Sequence, residues 1–294
     1  MKTNQDKKKK NRSQSYWSGV VERFTKNKLA VVCLFILMLL IFSCILVPLF
    51  STQTMYTTDM NNIKQPPSKN HLLGTDNIGR DLLVRLFYGG RVSLGIALAV
   101  TLLECIIGVL LGSIAGFYGG IIDMIIMRIC DVFNSFPFLM ICITIVAVFG
   151  NSILNLILVL ALLTWPSIAM IVRGQILTLR ELEYMEACEA LGISDRRRIL
   201  KHLLPNVMAY VIVYATLGMA SVILTETSLS FVGLGVTMPM PSWGNMIQEA
   251  RNLATIQNKW WYWIPPGIAI FLTVMCFNIV GDGLRDAIDP KMRR

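Results

Sequence analysis

The chain has 294 residues, of which 54% are hydrophobic and only 15% are charged. An average soluble domain carries about 25% charged residues, so this composition excludes an ordinary soluble domain and indicates a protein embedded in lipid. The formal net charge is +9, but nine of the 27 Lys and Arg residues lie in the first 28 positions. The basic excess is therefore mostly a tail rather than a stripe on a folded face, and no nucleic-acid partner is predicted.

Apolar stretches predict an all-α polytopic membrane protein with six transmembrane helices. The first stretch, 29–50, has 22 residues without a charge, and a helix of that length, at about 1.5 Å per residue, crosses a hydrocarbon core. Charges are also scarce in four further stretches, which are 93–117, 153–172, 207–236 and 260–281. The stretch 121–150 begins with charged residues, and we expect a polar cytoplasmic helix that kinks near Pro137 and then enters the membrane.

The distribution of basic residues predicts the orientation of these spans. With the amino terminus inside, the inner segments hold 20 Lys and Arg residues and the outer loops hold six. Because cytoplasmic loops are enriched in Lys and Arg, both termini are expected in the cytoplasm, with the chain crossing the plasma membrane several times. Arg80, Arg85 and Arg91 oppose this assignment, and the rule alone does not explain them.

Residues that could support catalysis or hold a cofactor are scarce. The chain contains only two histidines, His71 and His202, and its seven cysteines form no Cys-x-x-Cys pair. Neither a metal site nor a disulfide framework is predicted, and the cysteines are interpreted as small packing residues. No Gly-x-x-x-x-Gly-Lys-Ser/Thr loop occurs, so we expect no cofactor in this chain and no ATP hydrolysis by it.

The long polar segment 173–206 has the pattern of two short helices joined by a turn. Apolar residues recur at helical spacing from Ile176 to Leu191 with charges between them, which predicts an amphipathic helix. Gly192 is placed to end that helix, Ser194 to cap a second short helix, and Pro205 to end the second one. Two interpretations stay open on this pattern: a helix pair lying on anionic lipid, or an element that docks into a groove of a soluble partner.

Six motifs, in order along nearly the whole chain, resemble one transport family. The segment 186–205 contains Glu186-Ala187-Cys188, then Gly192, then His202-Leu203-Leu204-Pro205. It resembles the "EAA" loop of binding-protein-dependent ABC importer permeases, although that family usually has Ala at the position of Cys188. The other five motifs resemble the dipeptide, oligopeptide and nickel branch: HLLGTD with GRD at 71–81, GFYGG at 116–120, LSFVGLG at 229–235, SWG at 242–244 and GDGLRD at 281–286. The amino-terminal span resembles that of the "C"-type subunit of this branch.

This resemblance implies an importer of several subunits in the plasma membrane of a bacterium. The chain would be one permease of a heterodimer, working with two ABC ATPase subunits that bind the ATP, an extracytoplasmic binding protein and the lipid bilayer. The segment 173–206 would be a coupling loop seated on an ATPase subunit, so that ATP-driven closure tilts the spans. By position in the motif, the resemblance assigns this role to Glu186, Ala187, Cys188, Gly192, His202, Leu204 and Pro205.

The resemblance also suggests the cargo and a division of the chain. Di- and oligopeptides are the expected cargo, with nickel or metal chelates as the alternative; a secondary transporter driven by an ion gradient is the alternative from another class. We divide the chain into a basic cytoplasmic tail (1–28), a first transmembrane helix with an outer loop (29–90), and a five-helix permease core with the coupling loop (91–294).

Two carboxylates lie inside predicted spans. Such residues usually face protein or a water-filled cavity, because a charge in lipid is costly. Glu226 belongs to a segment that resembles the family's Glu-x-x-Leu-Ser-Phe motif and is a candidate for the translocation path. Glu104 matches nothing in the family pattern. For both residues, a packing role competes with binding of a cationic substrate group.

The first outer loop, 51–90, is longer than a simple connection requires. Its turn residues, including Pro66-Pro67 and 74–76, are compatible with a structured cap over the spans. Contact with the binding protein is the other interpretation, and the sequence does not assign residues to it.

Overall fold

A computed structural model of the chain describes residues 16–51 and 53–288 and contains no β-strand in that part. Eleven α-helices of six residues or more occur there. In chain order they are α1 (Tyr16–Lys26), α2 (Lys28–Phe50), α3 (Leu82–Tyr118), α4 (Gly120–Ser135), α5 (Phe138–Phe149), α6 (Ile153–Arg180), α7 (Glu183–Ala190), α8 (Leu204–Val232), α9 (Trp243–Gln248), α10 (Leu253–Asn258) and α11 (Ile264–Ile288).

The membrane spans follow the prediction closely. Five helical segments are long and apolar enough to cross a membrane. The sixth span forms only if α4 and α5 are taken together, and these two helices meet at a bend of 85°. Phe136 has extended backbone at the bend, which is the conformation that the following Pro137 imposes on its neighbour. The predicted kink near Pro137 is therefore confirmed.

Several predicted boundaries were wrong. The helix α3 begins at Leu82, eleven residues before the predicted start of its span, because Asp81 caps it and accepts a hydrogen bond from the Val84 amide at 3.0 Å. The first 28 residues are not simply a tail, because α1 lies within them. Its Val20 and Phe24 are buried, and Phe24 lies against Gly283 in α11.

The centre of the bundle is the pair α3 and α6, which pack along a row of glycines. A Cβ atom at Gly108 would lie 2.6 Å from Cβ of Ile168, and one at Gly112 would lie 2.5 Å from the Ala169 carbonyl oxygen. A Cβ at Gly116 would lie 2.9 Å from Cβ of Ile176. Glycine every fourth residue lets two helix backbones approach closely, which is how helices associate in lipid.

Two long connections fold over one end of the bundle and touch each other; we call residues 53–81 and 233–263 the loop cap. Within it, the Thr75 hydroxyl donates to the Asn62 carbonyl, and His71 Nδ1 lies 2.9 Å from an oxygen of Asp81. Gly74 and Gly79 have φ of +73° and +78°, which suits glycine. The outer loop is therefore folded, as the structured-cap interpretation predicted.

Candidate functional site

The segment 173–206, the predicted coupling loop, begins inside α6, which continues to Arg180. The expected single amphipathic helix from Ile176 to Leu191 is wrong, because the chain turns at Glu181 and restarts as α7. The Arg180 guanidinium donates to the carbonyl oxygens of Gly116 at 3.0 Å and Phe117 at 3.4 Å. These are late carbonyls of α3, where a cation is favoured, so the end of α6 is fixed to the end of α3.

The turn at Gly192 forms as predicted. Gly192 has φ of +68°, in the left-handed region that favours glycine. Its amide donates to the Glu189 carbonyl at 2.9 Å, and the Ile193 amide donates to the Cys188 carbonyl at 3.0 Å. These bonds close the carboxyl end of α7 in the manner of a glycine C-cap.

The second arm of the loop differs from the prediction. Pro205 was expected to end a short helix, but an α turn at Asp195–Arg197 and a π-helical turn at Arg198–Leu203 run directly into α8. Pro205 lies in the first turn of α8, where its missing N–H costs little. A continuous helical segment thus connects the loop to the membrane span, with no break at Pro205.

The side chains of α7 divide between two faces. Glu186, Ala187 and Gly192 are exposed, while Met185 and Cys188 are buried. Met185 belongs to a cluster of apolar side chains contributed by α6 and the start of α8. The small side chain of Cys188 therefore packs within this chain. Of Ala187 and Cys188, only Ala187 lies on the exposed face of α7.

His202 and Leu204 are half-buried along the second arm. The sequence reasoning missed a more central residue, Arg198. Its guanidinium donates to Glu189 at 2.9 Å and to Asp195 at 2.6 Å, and it lies 5.3 Å from the centre of the Phe117 ring. Arg198 thereby joins both arms of the loop to the end of α3. A recognisable signal was its position in the run of three arginines, 196–198, but the sequence does not distinguish it from the other two.

A cavity of about 420 Å³ opens between this loop and the end of α3. Glutamates and arginines both line it, together with aromatic rings from the end of α3. The exposed glutamates Glu181, Glu186 and Glu189 belong to this lining. The cavity therefore presents three exposed glutamates to a partner, next to Arg180 and Arg198.

The two intramembrane carboxylates occupy different environments. Glu226 is fully buried and accepts hydrogen bonds from the hydroxyls of Ser93 at 3.1 Å and Ser230 at 2.7 Å. Those hydroxyls in turn accept from the Trp243 and Val236 amides. Glu226 thus ties α3, α8 and the loop cap together, a geometry that favours a packing role over the predicted place on the translocation path.

Glu104, which the motif comparison passed over, borders a cavity of about 350 Å³ between α3, α6 and α8. Hydroxyl groups of Thr164, Ser167 and Ser221 share this lining, and the remaining walls are mostly apolar. Glu104 is therefore in contact with a cavity large enough for a small ligand.

Two of the three arginines that opposed the predicted orientation are paired with carboxylates. Arg85 lies 3.1 Å from the Glu249 carboxylate, and Arg80 lies 2.5 Å from that of Asp76, with all four side chains buried. Burial raises the pKa of Glu249, and the positive charge of Arg85 opposes that rise. Arg91 donates instead to the Ile45 carbonyl at 2.8 Å. Two of the three charges are therefore neutralised within the loop cap.

Comparison with known families accounts for this architecture. Residues 108–294 match the binding-protein-dependent transport system inner membrane component, and residues 15–67 match the N-terminal TM domain of oligopeptide transport permease C. The chain belongs to the binding-protein-dependent transport permeases. The family predicted from the six motifs is confirmed.

Curated relatives resemble this permease along nearly its whole length. It is 42% identical over 283 residues to the oligopeptide transport system permease protein OppC of Bacillus subtilis, covering 96% of this chain and 92% of that one. It is also 42% identical to the dipeptide transport system permease protein DppC of Alkalihalophilus pseudofirmus, covering 95% and 91%. The glutathione transport system permease protein GsiD of Pectobacterium atrosepticum is 38% identical, with coverage of 94% and 92%.

The fold is shared with a solved transporter. A crystal structure of an amino acid ABC transporter with histidines superposes with a TM-score of 0.50 over 67% of this permease and 91% of that chain, at 14% identity. The arrangement of helices in the permease is therefore that of an ABC transporter, while the low identity carries no statement about cargo.

Proposed function

We propose that this chain is a permease subunit of an ATP-driven importer that takes up di- and oligopeptides delivered by an extracytoplasmic binding protein. A second, homologous permease forms a heterodimer with it, and two ABC ATPase subunits bind and hydrolyse the ATP. The observation that carries the proposal is the coupling loop: α7 and the turn after it expose Glu186, Ala187 and Gly192 for a partner, while the other face of α7 is fixed to the bundle.

The proposed coupling depends on the rigid attachment of the loop to the helices α3 and α8. Arg198 and Arg180 hold the loop to the end of α3, and the helical segment from Asp195 to Val232 leaves no flexible joint between the loop and α8. A displacement of α7 by an ATPase subunit is therefore transmitted to α8 and α3 together. Because α3 is packed against α6 through glycines, these three helices tilt as one unit and open the cavity to one side or the other.

In this proposal the coupling loop and both termini are cytoplasmic, and the loop cap faces the binding protein. The pairing of Arg80 and Arg85 with carboxylates supports this orientation, because two of the three charges that opposed it are neutralised inside the protein. The substitution Ala190→Cys tests it. The described cysteines of the natural chain are buried or half-buried, so a membrane-impermeant maleimide should label the new thiol in inverted vesicles and not in intact cells.

Peptide cargo is supported by the names of relatives, which are oligopeptide, dipeptide and glutathione permeases. Nickel or metal chelates are the alternative cargo, and a carrier driven by an ion gradient is the alternative of another class. Proteoliposomes that contain the complete importer decide between them. Uptake of trialanine that requires internal ATP and the binding protein supports the proposal. Uptake that persists without ATP and disappears with an uncoupler contradicts it, and uptake of nickel chelates without peptide uptake favours the alternative cargo.

A further inference from the structure

The cavity between α3, α6 and α8 is built around one carboxyl group. Glu104 is 4% exposed and lies 14 residues before the end of α3, about 21 Å along the helix. Its Oε1 atom lies 3.1 Å from the point where a Cβ at Gly218 would be. The absence of a side chain at Gly218 therefore leaves room for the carboxyl group on the α8 side.

This cavity contains an acidic side chain but no basic side chain that could pair with it. Its 12 lining residues include one carboxylate and no Lys, Arg or His. The Thr164 hydroxyl is the hydrogen-bonding neighbour of Glu104, but it donates its proton to the Leu160 carbonyl at 2.8 Å. A hydroxyl has a single proton to donate, so Thr164 can stabilise an ionised Glu104 only by giving up its bond to the Leu160 carbonyl.

An ionised Glu104 therefore has no positively charged partner among the residues that line the cavity. A buried carboxylate without a charged or hydrogen-bonded partner is costly, and an ammonium group with three N–H donors would remove that cost. The rest of the lining suits a small peptide, because Ser167 and Ser221 offer hydroxyls while Leu160 and Leu217 offer apolar contacts.

We propose that Glu104 binds the primary ammonium group at the free amino terminus of the cargo during its passage through the permease. This inference rests on the proposed function, because it names the group of a peptide that the cavity recognises. Binding would leave Glu104 ionised and paired, and Thr164 would orient it. The residue would thus select cargo with a free amino terminus at a second point, after the binding protein.

The test compares two peptides in proteoliposomes that contain the complete importer and ATP. Trialanine and N-acetyl-trialanine are supplied with binding protein at concentrations that saturate it with each peptide, as measured separately. The natural permease should take up trialanine at least about tenfold faster, as expected for a buried charge pair. Glu104→Gln should bring the two rates close together by slowing trialanine, while Glu104→Asp should keep a preference.

The controls separate this inference from a structural role. Glu22→Gln removes a carboxylate that lies outside this cavity and is more than half exposed, so it is the matched control and should keep the preference. An unchanged ratio in Glu104→Gln, or no preference in the natural permease, overturns the inference. If Glu104→Gln does not assemble, Gly218→Ala decides in its place, because its methyl group would lie 3.1 Å from Oε1 and should reduce the preference. Failure of the natural importer to take up either peptide contradicts the proposed function instead.

Discussion

Arg85 and Glu249, 164 positions apart in the chain, form a buried ion pair of 3.1 Å at the junction between α3 and the loop cap. Arg80 also lies within 3.4 Å of the same carboxylate, and Asp76 lies between the two arginines. Two cations and two anions are thus enclosed together. The cluster connects the loop after α2 with the loop after α8, so it fixes the cap on which a partner outside the membrane would act.

Removal of Glu249 should weaken this cap. In Glu249→Ala two arginines would share only Asp76, and breaking a buried pair in this way costs about 3–5 kcal/mol. We expect a clear drop in the melting temperature of the purified permease complex. Glu22→Ala is the control, since its ion pair with Lys26 is more than half exposed and its loss should change little. Equal melting temperatures for the two variants would show that the cluster does not support the fold.

The glycine row between α3 and α6 predicts opposite effects for two similar substitutions. Gly112→Ala would place a methyl carbon 2.5 Å from the Ala169 carbonyl oxygen, and overpacking of this kind costs about 1–3 kcal/mol. Gly95→Ala on the same helix meets no atom within 4 Å and should stabilise the helix by up to about 1 kcal/mol. Thermal unfolding of both variants in detergent measures the difference; a stable Gly112→Ala variant would contradict the close packing.

Arg198 should be needed for coupling and not for assembly. Arg198→Ala removes the bonds to Glu189 and Asp195 and the contact with Phe117. We expect ATP hydrolysis to continue while peptide uptake falls by about tenfold, which corresponds to about 1.4 kcal/mol of lost coupling. Arg197→Ala, at an exposed neighbouring position, is the matched control. Loss of ATPase activity together with uptake would indicate a failure of assembly rather than of coupling.

Glu226 should be important for stability and unimportant for cargo. Both of its oxygens accept from serine hydroxyls, whereas glutamine offers one acceptor, so Glu226→Gln leaves one hydroxyl unsatisfied at about 1–3 kcal/mol. We expect a lower melting temperature and an unchanged ratio of trialanine to N-acetyl-trialanine uptake. A changed ratio at normal stability would restore Glu226 to the translocation path.

The sequence predicted those features that depend on nearby residues. The apolar stretches, the bend at Pro137 and the glycine turn at 192 each follow from a local pattern, and each occurs in the structure. Features that depend on distant residues were missed. The pairing of Arg85 with Glu249 and the contact of Arg198 with Phe117 join segments that only the folded chain brings together. Pro205 was misread because a proline has the same sequence signature after a helix and in its first turn.

The coupling loop gives the most direct prediction about function. Gly192 is exposed, and a Cβ at this position would meet no atom within 4 Å of this chain. Gly192→Asp therefore introduces backbone strain at φ of +68°, of about 1–2 kcal/mol at most. It also places a negative charge on the face proposed for the ATPase. We expect peptide uptake to be lost while the chain still inserts in the membrane, as measured by uptake and by the amount of permease in the membrane fraction.

Gly19→Asp provides the matched control for this substitution. Gly19 lies in α1, no atom of the described residues lies within 4 Å of its added Cβ, and its φ is not in the left-handed region. The same charge change there should leave uptake intact, and Arg23, one turn later, would pair with the new carboxylate. Full uptake by Gly192→Asp would mean that the face around Gly192 does not dock an ATPase. Loss of uptake in both variants would instead show that added negative charge on this side of the membrane causes the effect.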